Sequence, residues 1–372
     1  MSETACNQGE LVESAKRTAF NKAHHDLGAK MLAFAGWDLP IWYTSALDEH
    51  RAVRSGTGMF DVSHMGRIRL TGKRVGNFIN KIVTRPVERI PLGSGQLCLL
   101  LVEDGGILDD LWVYQIGADD YLLVWNACNF ELKYDWILEW AANDSGVIIN
   151  NVTEDTFMLA VQGPKASRMK TLESVSQLPR FGFMETDVGG IRVIVARTGY
   201  TGEDGYEIMG DAASALSLWQ LFLEQGVVPC GLGARDSLRL EAGMMLYGQD
   251  MDRSTNPFEA GLGWLVDLDG SEFIGKSALL KIKQRGITRK LIGFQMKERG
   301  IARHGHRILK DGKDVGMVTS GGLAPSLGVN IGMGYVPVEM VNIGTELEIV
   351  IREKPVAAEI VSRRFYRNGG MK

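Results

Sequence analysis

A chain of 372 residues, 45% hydrophobic and 23% charged, has the composition of a soluble globular protein with two or three domains. Its formal charge of -4, without a long basic run, argues against nucleic acid as the main partner. The apolar run 97–102 is far too short to span a bilayer, and the first residues lack the basic and apolar regions of a secretory leader, so a cytoplasmic protein with no membrane partner is expected.

Taken in order, the pattern predicts a helix around 10–24, extended stretches from Gly28 to Tyr43, and a helix across 47–55. Residues 67–70 alternate cleanly and read as a strand. A helix at 74–81, strands at 97–103, 105–114 and 120–125, and a helix at 129–143 complete a compact α+β unit. Strands are expected at 157–162 and 191–197, and Gly163-Pro164 reads as the start of a helix, with proline in the first turn. The glycines of Gly199-Tyr200-Thr201-Gly202-Glu203-Asp204-Gly205 bend a loop back into a strand, and a helix comes next at 234–244. Beyond a linker at 283–288, short strands between Gly/Asp turns predict a small barrel or sandwich.

The stretch Asp104–Tyr114 stands out. Asp104-Gly105-Gly106 is turn chemistry, and residues 107–114 are apolar except for Asp109 and Asp110. Regular alternation would put Asp109 on one face with Ile107, Leu111 and Val113, and Asp110 on the other with Leu108, Trp112 and Tyr114. Neither face looks like solvent, and a carboxylate among apolar side chains is costly to ionise without a partner. Asp110, or both, could equally cap a turn or pair with an arginine.

Residue chemistry marks other candidates. Glu207 closes the glycine loop beside Tyr200 and Tyr206; a carboxylate there can accept paired N–H bonds from the edge of a flat heterocycle such as a pterin, or simply pair across the sheet. Arg235 and Arg239 stand one helical turn apart. An arginine fork suits a ligand carboxylate, whereas Arg239 reads as part of an intrahelical network. Asn126 could work in a cleft or cap the next helix. The six histidines match no metal spacing, and the widely separated Cys6, Cys98, Cys128 and Cys230 suggest reduced thiols rather than a zinc site or disulfide frame. Gly270–Ser277 matches the P-loop pattern, but Glu272 and Phe273 would stand where phosphate should sit. Residues alone thus describe a soluble multidomain chain with a carboxylate in a cleft.

The chain also resembles the T-protein family of the glycine cleavage system, tetrahydrofolate-dependent aminomethyltransferases. The resemblance rests on Gly28-Ala29-Lys30-Met31, Phe34-Ala35-Gly36-Trp37, Phe60-Asp61-Val62-Ser63-His64-Met65-Gly66, Gly105-Gly106-Ile107-Leu108-Asp109-Asp110-Leu111 and the run Arg197–Glu207. Ala234-Arg235-Asp236-Ser237-Leu238-Arg239, Glu259-Ala260-Gly261-Leu262-Gly263-Trp264 and Asn330-Ile331-Gly332-Met333 extend it along nearly the whole chain. It implies an α+β fold, a three-domain cloverleaf with antiparallel sheets in the first two domains and a C-terminal β-barrel or jelly roll. The corresponding division is 1–50 with 151–280 as a folate-binding domain, 51–150 as an insert carrying the catalytic residue, and 285–372 as the barrel. It further implies Asp109 as the catalytic group, with Met65, Asn126, Tyr200, Glu207 and Arg235 holding tetrahydrofolate, no metal, and a lipoylated H-protein as donor of the aminomethyl group. The family's strand before the Gly-Gly turn commonly carries Tyr and Asn where this chain has Leu97 and Val102. That departure keeps two other readings open, a folate-dependent demethylase of another small substrate and a folate-binding accessory protein without turnover.

Overall fold

The alternating stretches pair into three open sheets and a closed barrel in a computed structural model that describes residues 15–142 and 144–367. The helix expected over 10–24 lies partly outside the described residues; within them, a short helix spans Asn21–Asp26. Lys16–Arg17, Trp37–Trp42 and Lys30–Phe34 form a small three-stranded sheet. A five-stranded antiparallel sheet runs Gly95–Leu101, Ile107–Gly117, Asp120–Trp125, Gly66–Thr71, Ile148–Asn151. A six-stranded sheet runs Phe183–Val188, Ile191–Ala196, Gly205–Asp211, Thr156–Gln162, Gly58–Asp61, Val228–Pro229. The division at residue 51 is therefore not the one the hydrogen bonds draw. Gly58–Asp61 pairs with Leu159–Gln162, and the sheet of the inserted unit begins only at Gly66.

The two large sheets pack face to face. Tyr114, Leu122 and Val124 of one meet Met158, Ala160, Ala196 and Met209 of the other. Their outer faces are covered by helices: Val75–Ile82 and Phe130–Ala141 on the five-stranded sheet, Ala215–Glu224 on the six-stranded one. Two-sided burial explains why these strands read as near-continuous apolar runs rather than strict alternation. The segment directly after Gly163 does not form the expected α-helix. Ala166, Leu172 and Val175 are the buried residues there, and their spacing in multiples of three suits the 3-10 turns Ala166–Arg168 and Lys170–Val175.

The C-terminal strands Arg289–Met296, Val329–Pro337, Lys313–Ala324, Arg307–Lys310, Glu346–Ile351 and Lys354–Val361 close into a barrel. The expected linker overlaps the helix Lys276–Arg285, which stops at Gly286, where φ is +85°. Arg239 anchors the barrel to the rest of the molecule. It is buried, pairs with Asp250 at 2.7 Å, and donates to Ser320 Oγ at 2.9 Å. Cys98 and Cys230 are buried free thiols, whereas Cys128 is disulfide-bonded, against the reading of all four as reduced.

Local signals hold where they are strong. Ser45 caps the helix Ala46–Ser55, its Oγ accepting from Asp48 N at 3.1 Å. Ser45→Ala should lower unfolding stability by about 1 kcal/mol, read as a reduced urea midpoint.

Candidate active site

The Asp104-Gly105-Gly106 turn fixes where the carboxylate pair goes. Gly105 has φ +89°, and a Cβ on Gly106 would lie 1.9 Å from the Arg253 carbonyl oxygen. Downstream of this turn the strand carries a bulge: Leu100 opposes Asp109 and Leu101 opposes Ile107, leaving Leu108 as the extra residue. The bulge breaks the expected alternation. Leu108 joins Leu111 and Val113 against the helices, while Ile107 faces the other way with Leu99 and Leu101.

The two aspartates part at this point. Asp109 is fully buried, turned toward the helix Phe130–Ala141, and its Oδ2 accepts a short bond from Lys133 Nζ. Asp110 lines a cavity of about 270 Å3 together with Met65, Asn126, Tyr200, Glu207 and Arg235. The expected binding residues thus meet in one place, but the cavity carboxylate is Asp110, not Asp109. The bulge exchanges only Ile107 and Leu108; beyond it Asp109 shares the helix-covered face with Leu111 and Val113, and Asp110 shares the cavity face with Trp112, so the assignment of Asp109 that the resemblance implied fails on which face the helix layer covers.

Asn126 couples the pair. Its backbone N–H donates to Asp109 Oδ2 at 3.1 Å, and its side-chain Nδ2 donates to Asp109 Oδ1 at 2.8 Å and to Asp110 Oδ1 at 2.9 Å. It does not cap the next helix with its side chain; Asn129 stands at the N-cap of Phe130–Ala141. Burial, reinforced by the neighbouring Asp109 charge, pushes the Asp110 carboxyl up to about 7. A group poised there can hold or release a proton near neutral pH.

The opposite wall carries Glu207, Arg235 and Tyr200. Glu207 sits on the strand Gly205–Asp211, and its Oε2 accepts a short bond from Thr198 Oγ1. Burial raises its pKa, opposed by that bond and by the Arg235 charge. Arg235, on the helix Leu232–Glu241, lies with its guanidinium carbon 4.7 Å from the Tyr200 ring centre, and its Nη1 is buried without a hydrogen-bond partner among the described residues. The Tyr200 hydroxyl donates to the Met245 carbonyl, which holds the ring as part of the wall. His64 also lines the cavity; burial and the Arg235 charge push it down to about 3, so it is neutral, and its Nδ1 has no partner among the described residues. Met65 lies beside Arg235, with Sδ 3.9 Å from Nη2.

A larger cavity of about 990 Å3 adjoins the first. Asp110, Trp112, Gly199, Tyr200 and Met245 line both. Arg85, Arg89, Arg180 and Arg364 are on the wall of the larger one, as is Leu97.

Other sequence candidates resolve structurally. Arg239 is taken up by Asp236, Asp250 and Ser320, as an internal network requires. The P-loop match has no phosphate cradle, because Lys276 is buried and donates to the Gly270 carbonyl at 2.8 Å. Among the described residues no group of three or more His, Cys, Asp or Glu side chains is placed to hold a metal. Lys133 escaped the sequence reading. Its signal was a lysine one turn before Ile137 on the apolar face of a helix, where charge is unexpected.

Comparison with known proteins gives this geometry a family. The GCVT N-terminal domain matches residues 20–270, and the glycine cleavage T-protein C-terminal barrel domain matches residues 289–367. An aminomethyltransferase from Halothermothrix orenii is 44% identical over 359 residues, spanning 94% of this chain and 99% of its own length. One from Thermotoga neapolitana is 45% identical over 361 residues, spanning 95% and 98%. The crystal structure of the glycine cleavage system aminomethyltransferase T from Bartonella henselae aligns with a TM-score of 0.90 at 33% identity, covering 96% of this chain and 99% of that one. Both family domains occur in order, the relatives match end to end, and a carboxylate-bearing cavity lies where the two large sheets meet: the chain belongs to the glycine cleavage T-protein family and is an aminomethyltransferase.

Proposed function

We propose that this enzyme transfers the methylene carbon of an aminomethyl group, carried on the lipoyl arm of an H-protein, to tetrahydrofolate. Ammonia, the reduced lipoyl arm and 5,10-methylenetetrahydrofolate are the products. The observation that carries the reading is that Asp110 lines both cavities, so an acceptor held in one and a donor arm entering through the other meet at a single carboxylate.

The residues present fit tetrahydrofolate. Glu207 offers a carboxylate to the amidine-like edge of a pterin, and Tyr200 offers a flat wall. The unpartnered Nη1 of Arg235 and Nδ1 of His64 are buried polar atoms that a polar ligand would satisfy. Met65 fills the wall beside Arg235, and Asn126 holds the carboxylate pair in place. Bound tetrahydrofolate supplies the nitrogen nucleophile that accepts the carbon.

The protein's own part is positioning and proton handling. Asp110 in its ionised form stabilises positive charge that develops on the transferred carbon, and in its protonated form it donates toward the departing amine. The arginines of the larger cavity suit acidic groups on an incoming partner. The transfer so written requires no metal.

The test is formation of 5,10-methylenetetrahydrofolate from tetrahydrofolate and aminomethyl-loaded H-protein. Stoichiometric release of ammonia with that product is the expected result. Tetrahydrofolate binding without turnover would overturn the assigned donor and favour a demethylase or accessory role, with Leu97 as the first residue to revert to tyrosine.

A further inference from the structure

Lys133 is a cost that the fold does not need to bear. A lysine side chain buried without any exposure must be stripped of water, and an apolar residue of similar length would pack on the same helix face without that penalty. Its neighbours in that layer are Phe130, Tyr134 and Ile137. Yet its ammonium is fully engaged. It donates to Asp109 Oδ2 and, at 2.6 Å, to the Asn126 carbonyl, and it lies 5.6 Å from the Trp125 ring centre and 5.9 Å from that of Tyr247.

These contacts lead to the cavity. Asp109, held by Lys133, accepts from both the backbone and the side chain of Asn126. The same Asn126 Nδ2 donates to Asp110. Lys133 also fixes the Asn126 carbonyl, so both ends of that residue are determined by the buried ion pair. The chain of contacts therefore runs Lys133, Asp109, Asn126, Asp110, from the interior of the helix layer to the cavity wall.

We infer that Lys133 is a positioning residue for the transfer reaction: through Asp109 and the shared amide of Asn126 it sets the orientation and charge of Asp110. Two adjacent carboxylates with no nearby cation would share a proton, and which of them ionised would be undefined. With Lys133 beneath Asp109, the inner carboxylate is the one stabilised as an anion, and Asp110 is left to exchange its proton with the cavity. Burial and the Asp109 charge raise the Asp110 pKa, and Lys133 lowers it. The other titratable and charged groups lining the cavity with Asp110 are His64, Tyr200, Glu207, Arg235, Asp236 and Arg239; beside Lys133 the facing titratable group is Tyr247.

The inference rests on Asp110 being the group at the transfer site, so its test includes a readout that does not need turnover. The proton content of the carboxylate pair is followed against pH by the infrared carbonyl band of the ligand-free protein, in wild type, Lys133→Met and Lys133→Met/Asp109→Asn. Lys133→Met should move the pair's titration up by about one unit or more, because the cation that favours ionisation is gone. The double variant should move it below wild type, because the Asp109 charge raising Asp110 outweighs the Lys133 charge lowering it. In the transfer assay, Lys133→Met should lose about tenfold or more in kcat at pH 7 with tetrahydrofolate affinity held within about threefold.

A titration unchanged from wild type in Lys133→Met, or a kcat loss no larger than the loss of folded protein measured by circular dichroism, would overturn the inference. If Lys133→Met does not fold, the double variant, which leaves no unpaired buried charge, decides: a titration at the wild-type position overturns the inference. If no variant, wild type included, transfers the carbon but the titrations move as stated, the donor assignment has failed and the role of Lys133 stands.

Discussion

Asp110→Asn loses most turnover, by a factor of about 10² to 10⁴, while tetrahydrofolate binding stays within a few-fold of wild type. The substitution keeps the shape of the side chain and an oxygen that can accept from Asn126 Nδ2. It removes the charge and the titrating proton, and those are what the proposed transfer uses. Steady-state kinetics with aminomethyl-loaded H-protein and calorimetric titration with tetrahydrofolate check the two halves separately. A variant that keeps its kcat would mean that Asp110 does no proton or charge work.

The same variant carries a stability prediction with a definite sign. The Asp110 carboxyl is pushed up to about 7 in the folded chain, above the usual carboxylate range. Between roughly pH 4 and pH 7 the folded chain therefore holds a proton that the unfolded chain has lost. This contribution to stability is fully present below the unfolded value and is lost as pH rises through the folded one. Asparagine does not titrate, so Asp110→Asn should gain melting temperature over wild type at pH 8 and gain less at pH 5. Thermal melts at the two pH values test this without substrate, and equal gains would contradict it.

Glu207→Ala has the opposite signature. Charge-assisted bonds to a buried carboxylate contribute about 1.5–3 kcal/mol each, so removing the acceptor should weaken tetrahydrofolate binding by roughly 10- to 10³-fold. It also leaves the Thr198 hydroxyl without its present acceptor. At saturating tetrahydrofolate, kcat should fall far less than in Asp110→Asn, because Glu207 lies on the wall opposite the carboxylate pair. Direct titration and a full tetrahydrofolate saturation curve distinguish the outcomes. Equal losses of affinity in the Glu207 and Asp110 variants would mean that binding and transfer are not divided between these walls.

Much of the fold was legible because its signals are local. Alternation marked Arg67–Leu70, glycine and aspartate turns marked the barrel strands, and the Ser45 cap announced its helix. The group of Met65, Asn126, Tyr200, Glu207 and Arg235 was legible through chemistry and family resemblance, since each is a polar, aromatic or soft side chain in a stretch that otherwise reads as core. The 3-10 turns after Gly163 were not, because a proline-led helix start and a tighter turn begin alike.

The choice between Asp109 and Asp110 shows where a sequence stops. By itself it determined that two carboxylates would enter an apolar strand directly after a Gly-Gly turn, and hence that at least one of them needed a partner. It could not determine which. One extra residue, Leu108, enters the pairing between Leu100 and Leu101, so faces cannot be counted from the turn, and nothing in the alternation of residues 109–114 says which face the helices cover. Lys133, distant in sequence, then fills the inner position opposite Asp109, leaving Asp110 for the cavity. Side-chain type is written in the chain, but which side of a sheet a group faces, and which buried charge it meets there, is decided by the register and packing of segments that only the tertiary structure brings together.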